Sequence, residues 1–422
     1  MEMWRNCLNK DNDSSIQTMK KSYWSVALFC CCLSAAGAQQ TDVQSVAGNV
    51  VEWRHHLHEN PELSFKEYNT GRYVADMLRS FGNIEVVRPA ETSVIGILRG
   101  AKPGRTVGFR ADMDALPVQE ETGFSFASKT PGVSHACGHD MHTAMLLGTA
   151  KVLSGMQEEL QGTVYFIFQH AEEKSPGGAL QIIKSGKLKG VDAIFGAHVI
   201  PNMPAGSIGM LPAGAASSSS DGFFLTIQGK GSHGSMPQMG VDPIVTGSEI
   251  VMMLQTVVSR NVTPGEMAVV SVGKFQSGDA PNVIPGKAEL AASIRTVTPE
   301  TRKLMEERVR SIIGHVCEAN GAAYKLDYVL GYPAIQNDAA LRELAKKAAM
   351  EAVGAKNVFD APRLSASEDF SYYAQVAPTY FMIVGSGDGP PNHNPGFRAD
   401  DSALLNGVKA EVRIILDYLN GK

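Results

Sequence analysis

Cys137-Gly138-His139 sets a thiol and an imidazole two residues apart on a turn that glycine permits, with His135 and His142 on either side. A thiolate beside an imidazole suits zinc or another borderline divalent cation. Short motifs of this kind also arise by chance, and the same thiol could serve as a nucleophile with a nearby histidine as its base. Glu172-Glu173, just after His170, adds weight to the metal reading. Neighbouring residues that leave a strand point in different directions, so one carboxylate can ligate while the other faces the attacking water as general base. Two adjacent cations would then activate the water and polarise a carbonyl. The plain alternative for a bare Glu-Glu pair is a solvated acidic loop, as at Glu120-Glu121 and Glu158-Glu159. His198, and His393 between two asparagines, complete the set.

Such residues need elements that bring them together. Thr106 to Ala111, Thr163 to Gln169 and Val191 to Ala197 read as strands, and Thr143 to Met156 and Ala179 to Ser185 as helices. That alternation favours a layered α/β domain with a largely parallel sheet. Asp112-Met113-Asp114, His170 to Glu173 and His198 each follow a strand, and ligands in such sheets bind beyond the carboxyl ends of strands. Three distant pieces of sequence therefore converge on one edge. The small residues Ala213 to Ser220 then change the rhythm, as a hinge would. Beyond them, strands read at Phe223 to Gln228, Met267 to Phe275, Lys287 to Thr296 and Ala322 to Leu330, with helices at Pro243 to Arg260 and Pro299 to Asn320. The order β-α-β-β-α-β is that of a ferredoxin-like unit. The expected fold is α/β with two domains: a catalytic domain at 39–215 and 331–422, ending in a helix near Asp401 to Leu419, and an inserted satellite at 216–330. Cys317 falls on the apolar stripe of the satellite's second helix and reads as core, with His315 beside it facing solvent.

The composition excludes some classes. At 422 residues the chain exceeds one ordinary domain, and 44% hydrophobic with 19% charged residues describes a globular protein rather than a disordered or multi-span membrane one. The 38 Lys+Arg against 43 Asp+Glu, with no long basic run, leave no electrostatic footprint for nucleic acid. Lys20-Lys21, the apolar run Tyr23 to Leu33 and Ala36-Gly37-Ala38 form a signal-peptide pattern, with cleavage expected before Gln39. Residues 1–38 are thus read as signal, with 1–18 from an upstream start codon, and the mature chain as periplasmic or secreted. The apolar run is too short to span a bilayer, so no membrane partner is expected after cleavage. Only Cys137 and Cys317 would remain where disulfides are permitted.

Arg110-Ala-Asp-Met-Asp-Ala-Leu-Pro117, His135-Ala-Cys-Gly-His-Asp-Met-His142, His170-Ala-Glu-Glu173, Gly196-Ala-His198 and Asn392-His-Asn-Pro-Gly-Phe397 occur in the order and at the intervals of a known family. They resemble the zinc-dependent aminoacylase and carboxypeptidase family, above all its amidohydrolase branch, which includes hippurate hydrolase and the plant auxin-conjugate hydrolases. Arg54-His-His-Leu-His-Glu-Asn-Pro-Glu-Leu63 is similar to that branch's opening motif, so the resemblance covers about residues 45–420.

The resemblance implies that Cys137, His139, Glu173, His198 and His393 hold two divalent metal ions, zinc or manganese, and that Glu172 is the general base. The wider family's first ligand motif, His-x-Asp, is replaced here by Asp112-Met113-Asp114, which suits the cysteine branch and leaves both carboxylates to orient ligands. His233 matches a histidine that helps stabilise the tetrahedral oxyanion, reaching across a dimer in several members, and Asn282 and Arg295 match contacts to the substrate's carboxylate end. Arg295 also reads as a surface charge on an alternating strand. His55, His56, His58 and His142 are left as structural. The implied activity is hydrolysis of N-acyl amino acids or related amides by a homodimer joined through the satellite. The alternatives are a dipeptidase or carboxypeptidase of the same family, and a relative that only binds metal or peptide.

Overall fold

The computed structural model describes residues 43–422, so the signal pattern and its cleavage site lie outside the described residues. The first stretch carries helices α1 (Ala47–Glu59), α2 (Tyr68–Ser80), α3 (His139–Ser154) and α4 (Ala179–Lys184). Its strands are β1 (Ile84–Val87), β2 (Val94–Arg99), β3 (Lys102–Asp112), β4 (Gln161–Gln169), β5 (Ala193–Ile200), β6 (Ile208–Met210) and β7 (Gly214–Ala215). The middle stretch carries β8 (Asp221–Gln228), β9 (Ser232–His233), α5 (Pro243–Asn261), β10 (Ala268–Ser277), β11 (Val283–Ile284), β12 (Lys287–Thr296), α6 (Pro299–Ala319) and β13 (Ala323–Val329). The chain then returns through β14 (Gln336–Asn337), α7 (Ala339–Val353), β15 (Val358–Asp360), β16 (Thr379–Gly385) and α8 (Ser402–Leu419).

The large sheet has the order β1-β2-β4-β3-β5-β16-β6-β15. Its side chains alternate between two apolar layers, as a strand's period of two requires. In β16, Tyr380, Met382 and Val384 join one layer, with residues of α1, α3, α7 and α8; Phe381 and Ile383 join the other, with Ile182 of α4. Burial on both faces is why these strands read as nearly continuous apolar runs. The sheet is mixed rather than largely parallel. Its centre, β4-β3-β5-β16, runs parallel, as does the edge pair β6-β15, while β1 with β2, β2 with β4 and β6 with β16 pair antiparallel. Parallel neighbours need a long crossover such as α3 between β3 and β4, whereas short links such as the one from β1 to β2 return the chain antiparallel.

The satellite sheet, β10-β12-β8-β13, is antiparallel throughout and has the ferredoxin-like order. Helices α5 and α6 pack on it around Leu225, Ile250, Leu254, Met305, Val309 and Cys317. Both helices start as their sequences require, with Asp242 and Thr298 accepting amide hydrogens ahead of a proline. Among the described residues, Cys137 and Cys317 are the cysteines, and both are free. The run Ser217 to Ser219 is buried, and its hydroxyls bond to Ile335 N, Ser365 O and Thr296 Oγ1, so these serines pin the crossing.

Two local expectations shift, both at the site. Helix α3 starts at His139, four residues before the predicted start at Thr143, because every residue from His139 to Ser154 except Lys151 is buried and no polar face marks its beginning. Strand β5 runs on to Ile200, so His198 lies within the strand, paired with Ile383, rather than beyond it.

Candidate active site

Each metal-competent side chain is aimed by a local device. Gly138 adopts φ 91°, and a Cβ there would meet Val199 Cγ2 at 2.2 Å, so only glycine lets the chain turn into α3 with Cys137 and His139 facing the same way. His139 Nδ1 donates to the carbonyl of Asp114 at 2.8 Å and His198 Nδ1 to that of Val199 at 2.7 Å, which leaves both Nε2 atoms as acceptors. His198 Nε2 lies 3.3 Å from Cys137 Sγ. His393, with φ 68°, donates its backbone N–H to Ala136 O and sets Nε2 3.1 Å from Glu173 Oε1.

Asp114 organises the opposite wall. Its two carboxylate oxygens accept the amides of Glu172 and Glu173, each at 3.0 Å, and Oδ2 also takes Ser64 Oγ at 2.6 Å. Asp112 accepts from Arg110 at 2.6 Å and from His142 Nδ1 at 2.6 Å. The Val199 amide donates to His142 Nε2, so both nitrogens of that ring are occupied and His142 is structural, as expected. His55, His56 and His58 are likewise engaged, with Asp401, the Tyr73 ring, and Asp140 with Glu120. His315 is exposed.

The donor set fits a pair of cations. Two groups share Cys137: one with His139 and His198, the other with Glu173 and His393, the ligand atoms of each group lying within 4.8 Å of one another. His139 Nε2 is buried without a hydrogen-bond partner, and Glu173 Oε1 has His393 Nε2 at 3.1 Å but no aligned donor, a costly arrangement that a cation would relieve. The electrostatics agree. Burial lowers the His139 pKa, but Asp112, Asp114 and Glu173 together raise it to about 10, the signature of a site that wants positive charge. Burial and then Glu173 and Glu172 hold the Cys137 thiol well above its ordinary range, and burial depresses His198. Neither shift suits a thiolate–imidazolium nucleophile, which needs the opposite polarisation.

A cavity of about 360 Å³ opens on this cluster, lined by Cys137, Glu172, Glu173, His198 and His393 together with Arg295, Tyr332, Glu368 and Asn392. Glu172 is buried, and that burial, with Glu368, Glu173 and Asp369 nearby, raises its pKa well above the carboxylate range. Arg295 does not sit free on its strand. It lines the cavity and donates to Ser219 O at 3.0 Å. His233 and Asn282 lie apart. They are exposed on the two-stranded ribbon β9–β11, where Gly234 N donates to Asn282 O and His233 Nδ1 meets Ser235.

Sequence reasoning missed Glu368, Asp369 and Tyr332. Arg110, with no exposed side-chain surface, donates to Glu368 at 2.9 Å and Asp369 at 2.8 Å, and Gln169 also donates to Asp369. Tyr332 donates to the Glu172 carbonyl at 2.7 Å. The one available signal was an acidic pair in the small-residue run Ser365-Ala-Ser-Glu-Asp369.

Residues 108–417 match the model of peptidase family M20/M25/M40. An N-acyl-L-amino acid amidohydrolase of Geobacillus stearothermophilus is 46% identical over 295 residues, covering 70% of this chain and 80% of that one. A hippurate hydrolase of Campylobacter jejuni is 37% identical over 383 residues, covering 90% and 98%. The crystal structure of the Bacillus subtilis YXEP protein, described as a dinuclear metal binding peptidase from the M20 family, superposes with a TM-score of 0.77 at 34% identity, covering 89% and 99%. With its paired donor sets opening on a shared cavity, the chain belongs to peptidase family M20/M25/M40 and is a metal-dependent hydrolase.

Proposed function

We propose that this hydrolase cleaves the amide bond of N-acyl amino acids, with Glu172 as general base. The observation that carries the reading is the company Glu172 keeps: one cavity is lined by its buried carboxylate, the Cys137–Glu173–His393 donors and the Arg295 guanidinium. The names of the Geobacillus and Campylobacter relatives support the same substrate class.

Two divalent ions, zinc or manganese, held by Cys137, His139, Glu173, His198 and His393, would supply Lewis acidity to the attacking water and the acyl oxygen. The rest falls to the chain. Arg295 spends one N–H on Ser219 and keeps others for the substrate's carboxylate, a pairing its planar fork favours. Ile200, Leu364 and Phe381 give the cavity an apolar side for an acyl group or side chain. Glu172, in its low-dielectric wall beside Glu368, has a high proton affinity. It accepts a proton as water attacks the carbonyl, and returns it to the amine as the C–N bond breaks.

His233 and Asn282 would complete the oxyanion and carboxylate contacts from a second copy. The exposed apolar residues of α5, among them Val245 and Met252, and the open edge of β10 support association through the satellite. Export rests on the signal pattern of residues 1–38.

Glu172→Gln keeps the shape and removes the base. It is expected to lower kcat by about 10³-fold while two metal ions per chain are retained. A metal-loaded Glu172→Gln protein with near-normal turnover of acyl amino acids would overturn the assignment.

A further inference from the structure

The proposed base and its neighbouring ligand stand on a strained turn. Ala171 has φ 51°, a left-handed conformation that residues with a side chain seldom adopt. Four backbone groups around it are already engaged. The Ala171 carbonyl accepts from Gly178 N at 3.1 Å, the Glu172 carbonyl from Tyr332, and the amides of Glu172 and Glu173 donate to Asp114. The Ala171 amide donates 2.8 Å to Glu67 Oε1, from a residue 104 positions earlier at the start of α2.

Glu67 has no exposed surface and lies outside the cavity. Its Oε1 accepts a second amide, that of Phe65 at 3.0 Å, and Phe65 is itself left-handed at φ 66°. Its Oε2 accepts from Thr92 Oγ1 at 2.9 Å. One oxygen therefore holds two strained residues at once, one on each side of the contact between α2 and the catalytic turn. A buried carboxylate is costly to keep without a counter-charge, and an apolar residue would serve packing better. The three bonds it accepts explain why it is there.

We propose that Glu67 is a positioning residue: by holding the Ala171 amide it fixes the left-handed turn that presents the Glu172 and Glu173 carboxylates to the donor cluster. The inference rests on the reading of Glu172 as base. Glu67 touches no reacting atom and acts through Ala171 alone.

Two near-isosteric variants isolate the acceptor. Glu67→Gln keeps an oxygen at Oε1 and loses the charge, whereas Glu67→Met keeps the length and loses both. In metal-saturated full-length protein, Glu67→Gln is expected to retain kcat within about threefold. Glu67→Met is expected to lose about 10- to 100-fold in kcat with little change in KM, the effect of a misaimed group rather than lost binding. Amide exchange of residues 171–173 should accelerate in Glu67→Met and not in Glu67→Gln. Equal kcat and equal exchange in the two variants overturns the proposal. Should Glu67→Met fail to fold, Glu67→Asp takes its place, since its carboxylate is one methylene too short to reach Ala171. A kcat loss of about tenfold is then expected, and unchanged kcat overturns the proposal. Failure of the wild-type chain to hydrolyse acyl amino acids would defeat the reading of the reaction instead, and the exchange comparison would still judge Glu67.

Discussion

The catalytic layers and the satellite treat charge and oil in opposite ways. The catalytic part buries Arg54, Arg110, Asp112, Asp114, Asp140, Glu172, Glu368 and Asp369, whereas within β8 to β13 the buried acidic or basic side chain among the described residues is Asp221, held by Arg302. The satellite instead leaves apolar surface uncovered. Apart from Tyr68, Met350 and Phe359, every exposed large apolar side chain among the described residues lies between Phe224 and Leu330. Buried charge survives only where partners are prearranged, as Arg110 is for Asp112, Glu368 and Asp369. Uncovered apolar surface on this scale is what the proposed association through the satellite would cover. One half of the site is thus built in the fold. In the proposed reaction His233 and Asn282, exposed on the satellite, would complete the site through association.

The strongest way to break that contrast is complementation. Glu172→Gln and His233→Ala are each expected to lose at least about 100-fold in activity alone. If His233 serves the partner's cavity, a mixed dimer of the two variants contains one site with both residues intact. Random exchange of protomers should then restore about a quarter of wild-type activity, because an isologous dimer has two equivalent sites and half the dimers are mixed. Mixed dimers that form without any recovery would mean that each satellite serves its own chain. Met252→Glu on the exposed face of α5 should prevent both dimerisation and rescue.

Arg295 sharpens the comparison, because it belongs to the satellite's β12 yet lines the catalytic cavity. Arg295→Met should raise KM by about 10- to 100-fold for acyl amino acids and change kcat much less. Substrates with an amidated carboxyl end should discriminate little between the variant and the wild type. An equal penalty on both substrate types would remove Arg295 from carboxylate recognition and return it to a structural role.

The same contrast explains what the sequence could and could not reveal. The satellite is an ordinary amphipathic structure: α5 and α6 have one buried stripe each, and β8 alternates buried and less buried residues, so its order of elements was legible from periodicity. In the catalytic part, α3 is buried on nearly every face and carries no period, which hid its first turn and with it the helical setting of His139. Cys137, His139, Glu172, Glu173, His198 and His393 were legible because the motifs hold them in short, ordered words. Glu67, Tyr332 and Glu368 belong to no such word. Their partners Ala171, Glu172 and Arg110 lie 104, 160 and 258 positions away, and only folding creates those contacts.

The tolerance of the catalytic part for buried acids can be measured where no chemistry interferes. Glu411 on α8 is buried against Thr149, whose hydroxyl donates to it at 2.6 Å. Burial pushes its pKa up to about 8. A folded-state pKa above the unfolded value means that the native chain holds the proton more tightly. The stability this contributes is complete below the unfolded pKa near 4.5 and is lost as pH rises through about 8. Glu411→Gln, which stays neutral and can still accept from Thr149, should match the wild type in urea unfolding at pH 4.5. At pH 8.5 it should exceed the wild type by a few kcal/mol, about 2 to 4, since each pKa unit is worth about 1.4 kcal/mol and some of the shift relaxes in solution. Activity at neutral pH should not change, in contrast to Glu172→Gln, where the same substitution at another buried acid would remove the proposed base. A stability difference between Glu411→Gln and the wild type that stays flat from pH 4.5 to 8.5 would show that Glu411 is ionised in the fold.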